Sequence, residues 1–540
     1  MAKKIQLLDC TLRDGCYIVA SRFGSAAIRG IIEKLTEAHI EIIECGWLKN
    51  SEHEEGSAFY HVPSDLERYL THKDPHKTYV VMIDWDRYDL SYLPEYDGRS
   101  IDAIRVVFPH GRHREGIQVG MRIKEKGYKV FFQAANTLAY SDEELIELAH
   151  AMNEAAPESL SIVDTFGAMY EEDLERIVHI LDKHLDLSVR LGFHSHNNQQ
   201  LSFALTQHFV KMLAAGNRSI VVDASLCGMG RGAGNTTTEL AASYLNRRHG
   251  CHYDLDAIMD AIDTYMVYFS EKYKWGYNTS YFIAGLYCCH VNNIAYLLDN
   301  HRTSAKDMRN VIESLSPSDR LKYDYDILES KYIENQSRYV DDGKACTQLR
   351  DELSGKQVVL IAPGKMSLER REEIKKYINS RSCAVIAVNA LLDGYDYDYA
   401  FFVNPNRYEY ASKAHPEQFS AVKRIILSNI KDTPSQGEYL ISYDHAIKRG
   451  WKYFDNAVIC CLRFLEYLGI EGAAIAGFDG FSEKYNESYA DPMLPSLNTN
   501  GSWGELNDEI KAMFAELRSD AVNCRNIEFL TNSYFDDREN

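Results

Sequence analysis

SLSIVDTFGAMYEEDLERIVHILDKHLDLSVRLGFHSH, residues 159–196, holds one complete strand–helix–strand unit. Its two short runs, SLSIVD and SVRLGF, are bounded by polar turns and read as strands of a sheet covered on both faces. Between them, EEDLERIVHILDKHL repeats apolar residues at helical spacing and opens on acidic residues suited to the positive end of a helix dipole. The same unit recurs in both directions. IQLLDCT, IEIIECGW, TYVVMID, AIRVVFPH and KVFFQAA come before it and SIVVDASLCGMG after it, which makes eight expected strands. Eight such units in about 245 residues match a (β/α)8 barrel, whereas a doubly wound open sheet uses fewer strands. The expected fold class is α/β, with a TIM barrel over residues 1–250.

Outside the barrel the pattern changes. Residues 251–340 read as a helical extension and linker, rich in aromatics through WGYNTSYFIAGLYCCHVNNIAYLLDN. From 355 to 540 a second α/β alternation begins with QVVLIAPG, CAVIAVN, YAFFVNP, RIILS, YLIS and GAAIAGFDGFS, and is expected to form a Rossmann-like domain. The chain of 540 residues is 45% hydrophobic and 26% charged, enough apolar material for large cores. Its 59 Lys+Arg against 79 Asp+Glu leave a net charge of −20, which argues against nucleic acid or an anionic membrane surface as partner. No signal peptide and no run of about 18 apolar residues is found, and the 12 cysteines form no CxxC pairs. Reduced thiols in a cytoplasmic protein are the expectation.

The ends of the apolar runs carry the chemistry: Asp9 to Asp14, Glu44, Asp84, His110, Asp164, and His194 with His196. In a barrel, C-terminal strand ends meet at one mouth, where active sites lie. DCTLRDG (residues 9–15) closes the first run and GFHSHNN (192–198) the seventh. With side chains alternating at period two, His194 and His196 share a face. One carboxylate from the first strand and two imidazoles from the seventh make a mixed oxygen and nitrogen donor set that suits Mn²⁺ or Mg²⁺, with Zn²⁺ or Co²⁺ as alternatives. GMGRGAGN (228–235) follows the eighth run; its glycines allow backbone close to a ligand, and Asn235 can reach the metal shell.

These three motifs, in this order, resemble the 3-hydroxy-3-methylglutaryl-CoA lyase-like metal-dependent barrels, also called DRE-TIM metallolyases, and within them the 4-hydroxy-2-oxovalerate aldolases. The resemblance covers roughly residues 3–310. It implies a class II aldolase that joins or cleaves a 2-oxo acid such as pyruvate and an aldehyde through a stabilised enolate. By resemblance Asp14, His194 and His196 are metal ligands, with Asn235 an additional or supporting one. Arg13 is then the enolate stabiliser, and Glu44, His110, Asp164 and Thr165 are substrate contacts. The chain departs from the aldolases at Tyr17, where they carry a histidine that handles the hydroxyl proton; either Tyr17 or another group such as His110 must do so here. The tyrosine that the family's extension supplies is matched by Tyr287, with Tyr277 and Tyr281 as competitors.

The C-terminal domain resembles the Rossmann-like domains of sialyltransferase-type and other surface-glycan proteins. That resemblance implies nucleotide binding at Gly364, Asn389 and Asp479, and a setting in surface-glycan sugar synthesis. The alternatives are a Claisen-type acyl-CoA lyase or synthase of the same superfamily, or a non-catalytic barrel that scaffolds the second domain. The aromatic extension suits a homodimer. An aldehyde dehydrogenase partner, usual for the aldolases, is not assumed.

Overall fold

All eight apolar runs of the first half form strands: β1 (Ile5–Asp9), β2 (Ile42–Leu48), β3 (Thr78–Asp84), β4 (Ala103–Phe108), β5 (Lys129–Ala134), β6 (Ser159–Asp164), β7 (Arg190–Ser195) and β8 (Ile220–Ala224). Each pairs in parallel with the next, and β1 pairs with both β2 and β8, so the sheet closes into a barrel. A two-residue strand, Phe59–Tyr60, adds to the outside of β2. In this computed structural model the described residues are 4–301, 303–336, 340–451, 453–482, 488–495 and 503–536.

Strand alternation sorts the barrel interior into layers. Leu8, Ile42, Val80, Ala103, Phe131 and Val221 form an apolar floor together with Cys10. Two residues further along their strands, on the same face, stand Glu44, Arg105, Gln133 and Asp223, all buried. The barrel therefore changes from apolar to charged within one layer on the way to its mouth. Around it pack helices whose starts follow from sequence. Ser141 caps Asp142–Ala155 in a reciprocal box: Glu144 N donates to Ser141 Oγ (3.2 Å) and Ser141 N to Glu144 Oε2 (2.7 Å).

The second half contains an all-parallel sheet of β9 (Gln357–Ile361), β10 (Cys383–Val388), β11 (Tyr399–Phe402), β12 (Lys423–Leu427), β13 (Glu438–Ile441), β14 (Gly472–Ala476) and β15 (Asn526–Phe529). Their spatial order is β13-β12-β11-β10-β9-β14-β15. Six of these strands are the expected runs. β15 is not among them, because NIEF is short, alternates polar residues and lies half-exposed at the sheet edge. By contacts the chain divides into Met1–Val291 with Arg320–Lys322, and Asn292–Asp319 with Tyr323–Asn540, so the helical segment is shared between two compact units. Among the described residues no helix is long and apolar enough to cross a membrane.

At the bottom of the barrel, just before β8, Arg218 staples the end of the helix Glu171–His184. Its Nη1 donates to the carbonyls of Asp186 and Val189 (2.8 Å each) and its Nη2 to those of Asp182 (3.0 Å) and Leu185 (2.6 Å). Asp182 and Leu185 belong to the helix end, whose last carbonyls lack helical partners, and Asp186 and Val189 to the loop that leads into β7. Arg218→Met should strip them of partners and destabilise the barrel by about 3 kcal/mol. Denaturant unfolding should reveal that loss, while metal affinity at the opposite face stays unchanged.

Candidate metal centre at the barrel mouth

β1 runs directly into one buried helical turn, Thr11–Asp14. Thr11 N donates to Asp9 Oδ1 (2.9 Å), and Leu226 N donates to Thr11 Oγ1 (2.8 Å), which ties the turn to the loop after β8. The turn puts Arg13 and Asp14 at the centre of the mouth, 5% and 1% exposed. Arg13 Nη1 donates to Asp14 Oδ1 (2.7 Å) and Arg13 Nε to Glu44 Oε2 (2.9 Å). The same Glu44 oxygen accepts from Arg105 Nη1 (2.8 Å), Arg105 Nη2 donates to Asp223 Oδ2, and His194 Nδ1 lies 3.2 Å from that oxygen. One buried chain of alternating charge thus runs Asp14–Arg13–Glu44–Arg105–Asp223–His194.

The electrostatics follow from this chain. Burial alone would raise Asp14, but the Arg13 guanidinium, then His196, hold it well below the usual carboxylate range. Asp223 is lowered in the same way: Arg105 and His194 together outweigh its burial. Arg13 is raised well above its ordinary value because Asp14 and Glu44 overcome its desolvation. His194 is pushed down, first by burial and then by the charge of Arg13, and its neutral form is favoured.

Each imidazole is oriented by a partner on Nδ1. For His194 that partner is the Asp223 carboxylate, which only accepts; for His196 it is the carbonyl of Asp164 at 3.1 Å. With Nδ1 protonated, Nε2 of each ring keeps a lone pair for a metal. His196 Nε2 is buried without a hydrogen-bond partner and sits 3.5 Å from Asp14 Oδ2. Ligand atoms of Asp14, His194 and His196 all lie within 4.8 Å of one another. Three electron-pair donors held this close repel unless a cation stands among them, and the residues present fit a divalent ion. Asn235 supports the set: its Nδ2 donates to Asp14 Oδ2 (2.6 Å), while its Oδ1 is buried and unpartnered.

The cavity over this cluster is lined by Arg13, Asp14, Tyr17, His110, Thr165, His194 and His196 from the expected set. Asn235 reaches the cluster through Asp14. Glu44 lies beneath the cavity, joining Arg13 to Arg105, and its second oxygen is unpartnered. Asp164 is also beneath the surface, with Ala168 N donating to its Oδ1 (2.8 Å) and Met169 N to its Oδ2 (3.3 Å); burial raises it to about 6. Tyr287 is outside the lining and stacks against Arg320, 5.1 Å from ring centre to guanidinium. His290, three residues on, lines the cavity instead, as do Arg231 and Lys322. Gly364, Asn389 and Asp479 stand together in a different crevice, in the C-terminal sheet.

Five of these residues escape the motif reading, among them Lys322 in the polar part of the extension. Arg105 and Asp223 carry a legible signal, a charge inside an apolar strand (AIRVVF and SIVVDAS). Arg231 lies inside the glycine motif, and its guanidinium sits 3.4 Å over the Tyr17 ring. His290 has no signal beyond its place in the extension. Burial, then Arg231 and His196, push it down to about 3, whereas burial pushes the Tyr17 phenol up to about 12 against Arg231 and Arg13.

A closed parallel barrel whose mouth gathers two imidazoles and a carboxylate carries the donor set of a divalent-metal site where barrels of this kind place their chemistry. The HMGL-like family model matches residues 114–265. A 4-hydroxy-2-oxovalerate aldolase from Chloroflexus aurantiacus is 30% identical over 266 residues, spanning 48% of this chain and 75% of its own. One from Geobacillus genomosp. 3 is 29% identical over 267 residues, 48% of this chain and 76% of its own. An oxaloacetate decarboxylase from Mycobacterium tuberculosis is 28% identical over 264 residues, 47% of this chain and 74% of its own. The chain belongs to the HMGL-like family, and its barrel is a carbon–carbon lyase domain.

The site also explains one glycine. A Cβ on Gly230 would stand 2.5 Å from Asn235 Nδ2 and 2.7 Å from Asp14 Oδ2, so the backbone must pass there without a side chain. Gly230→Ala should displace that pair and weaken divalent-metal binding by about tenfold or more. Equilibrium dialysis with Mn²⁺ would read the loss, with Gly216→Ala as a control away from the site.

Proposed function

We propose that the barrel is a divalent-metal-dependent aldolase that cleaves or forms the bond between a 2-oxo acid such as pyruvate and an aldehyde. The observation that carries this reading is the convergence of Asp14, His194 and His196 beside the fixed Arg13 guanidinium. A divalent ion, Mn²⁺ or Mg²⁺ for this donor set, would supply Lewis-acid polarisation of the 2-oxo group. The chain's own residues do the rest. Arg13, clamped by Glu44 and Asp14, presents a cation that needs no reorganisation as negative charge develops on the enolate oxygen. Arg231 and Lys322 in the cavity wall draw an anionic substrate inward.

Proton transfer falls to His290. With its phenol near 12, Tyr17 stays protonated at neutral pH and acts as a hydrogen-bond donor to the aldol oxygen. His290 is neutral, and a bound carboxylate offsets the Arg231 charge that helps hold it down, so substrate binding itself makes it a better proton acceptor. On this reading the activity belongs to residues 1–250, the extension 251–340 contributes His290, and 355–540 is a separate domain. A second reading is decarboxylation of oxaloacetate, favoured by the relative of that name, since loss of CO₂ leaves the same enolate.

Deuterium exchange at the pyruvate methyl, followed by NMR with Mn²⁺ present, tests the first step. Exchange should vanish on chelation and in His194→Ala, and fall by two orders of magnitude or so in Arg13→Met. Cleavage of a 4-hydroxy-2-oxo acid should slow by about 10²-fold in His290→Asn and less in Tyr17→Phe. Exchange that survives chelation, or cleavage unaffected by His290→Asn, would overturn the corresponding assignment. Turnover of oxaloacetate without cleavage of any hydroxy-oxo acid would select the second reading.

A further inference from the structure

The C-terminal sheet reverses its winding between two adjacent strands. From β9 the chain moves through β10, β11, β12 and β13 toward one edge, then returns to lay β14 on the other side of β9 and continues to β15. The loops that leave β9 and β14 therefore diverge, and they open a crevice at the carboxyl ends of the strands, the position where open parallel sheets bind ligands. Ala362, Pro363 and Gly364 line one side and Gly477 to Phe481 the other. A Cβ on Gly364 would collide with the Gly477 carbonyl and the Asp479 carboxylate, so the two loops meet only because glycine is there.

The polar groups facing this crevice fall into two sets. Asn389, Asn404 and Asn456 all line it, and each has its side-chain oxygen committed to backbone amides: Asn389 to Val403 N and Asn404 N, Asn404 to Asn406 N and Arg407 N, Asn456 to Ile459 N. What each can offer a ligand is its Nδ2 donor pair. Arg407 joins them. It is 5% exposed, and its Nη1 is buried with no hydrogen-bond partner. A buried guanidinium nitrogen with nothing to bond is costly unless an anionic oxygen meets it. Across the crevice stands an acceptor, Asp479, whose Oδ2 takes Met366 N (2.9 Å) and whose Oδ1 is buried and unpartnered. Phe481 and Tyr489 supply aromatic walls, with the Arg407 guanidinium 4.6 Å from the Tyr489 ring centre.

We propose that this crevice binds a phosphorylated sugar, either free or as part of a nucleotide, with the phosphate on Arg407 and the asparagine amides and the sugar hydroxyls on Asp479. Amide donors and one unmet guanidinium nitrogen match phosphate oxygens, and the buried, unpartnered Asp479 oxygen matches hydroxyls, with Asp455 a second carboxylate in the lining. The proposal is independent of the reaction assigned to the barrel.

Calorimetric titration of the full chain with ribose 5-phosphate, the four ribonucleoside monophosphates, ribose and inorganic phosphate tests it. At least one phosphorylated sugar should bind, and unphosphorylated ribose should not. Arg407→Met should weaken that binding by about tenfold or more. Asp479→Asn should weaken the sugar-bearing ligands and leave inorganic phosphate unaffected, which separates the two halves of the site. Circular-dichroism spectra and thermal unfolding profiles that match the unaltered chain would show that both variants are folded, and should Arg407→Met fail to fold, Asp479→Asn and the unaltered chain still decide. Tighter binding of nucleotides than of ribose 5-phosphate assigns a nucleotide, and equal binding assigns a free sugar phosphate. No binding at millimolar concentration, inorganic phosphate binding as tightly as every sugar ester, or wild-type affinity in both variants would overturn the proposal.

Discussion

The barrel mouth depends on one oxygen, Glu44 Oε2, which accepts from Arg13 and Arg105 together. Without it two guanidiniums would face each other in a buried layer; with it, each is aimed at a second carboxylate, Arg13 at Asp14 and Arg105 at Asp223. Those carboxylates in turn hold the metal-facing groups, Asp14 as a ligand candidate itself and Asp223 through His194. Breaking a buried pair by removing one partner typically costs about 3–5 kcal/mol, so no member can be lost without disturbing the rest. Asp14, Glu44 and Asp223 against Arg13 and Arg105 leave the chain one negative charge in excess. That excess sits next to two imidazoles that present lone pairs to the same spot, an arrangement that suits a divalent cation.

Local and global charge have opposite signs here. The chain as a whole carries −20, yet Arg13, Arg231 and Lys322 line the cavity and Asp14 and Asp84 are its acidic members. Lys49 Nζ donates to Asp84 Oδ2 (3.1 Å), which further blunts the acidic side. Beyond about 8–10 Å at moderate salt the global charge is screened, so an anionic oxo acid near the mouth responds mainly to the cations in its wall.

The fold was legible because burial leaves few choices: each of the eight Ile- and Val-rich runs formed the strand expected of it, and the motifs at their ends met as barrel geometry requires. The convergence of the candidate metal cluster was legible for the same reason, since Asp14 sits in the turn that follows β1 and His194 and His196 at the end of β7. What lay below the mouth was harder. Glu44 and Asp164 stood at strand ends too, but their side chains turn to buried guanidiniums and loop amides rather than to the cavity. The extension was harder still. Its helix Thr279–Leu286 stops just before Tyr287 and Cys288 takes a left-handed conformation (φ 49°), so the chain turns there, and His290 rather than Tyr287, which the resemblance singled out, lines the cavity.

Tyr17 and His290 share the influence of Arg231. Its charge pulls both groups downward, Tyr17 against the stronger effect of burial and His290 together with it. An anionic substrate bound beside Arg231 reverses that pull on both. His290 is then released from the Arg231 part of its lowering while burial, the larger cause, remains, and Tyr17, already pushed up to about 12 by burial, is held more firmly in its protonated form. In the proposed reaction the same binding event thus prepares one group to take a proton and prevents the other from losing one. With His290 as the proposed base, Tyr17 at the position where the resemblance implies a histidine needs no unusual phenolate and is left to donate a hydrogen bond.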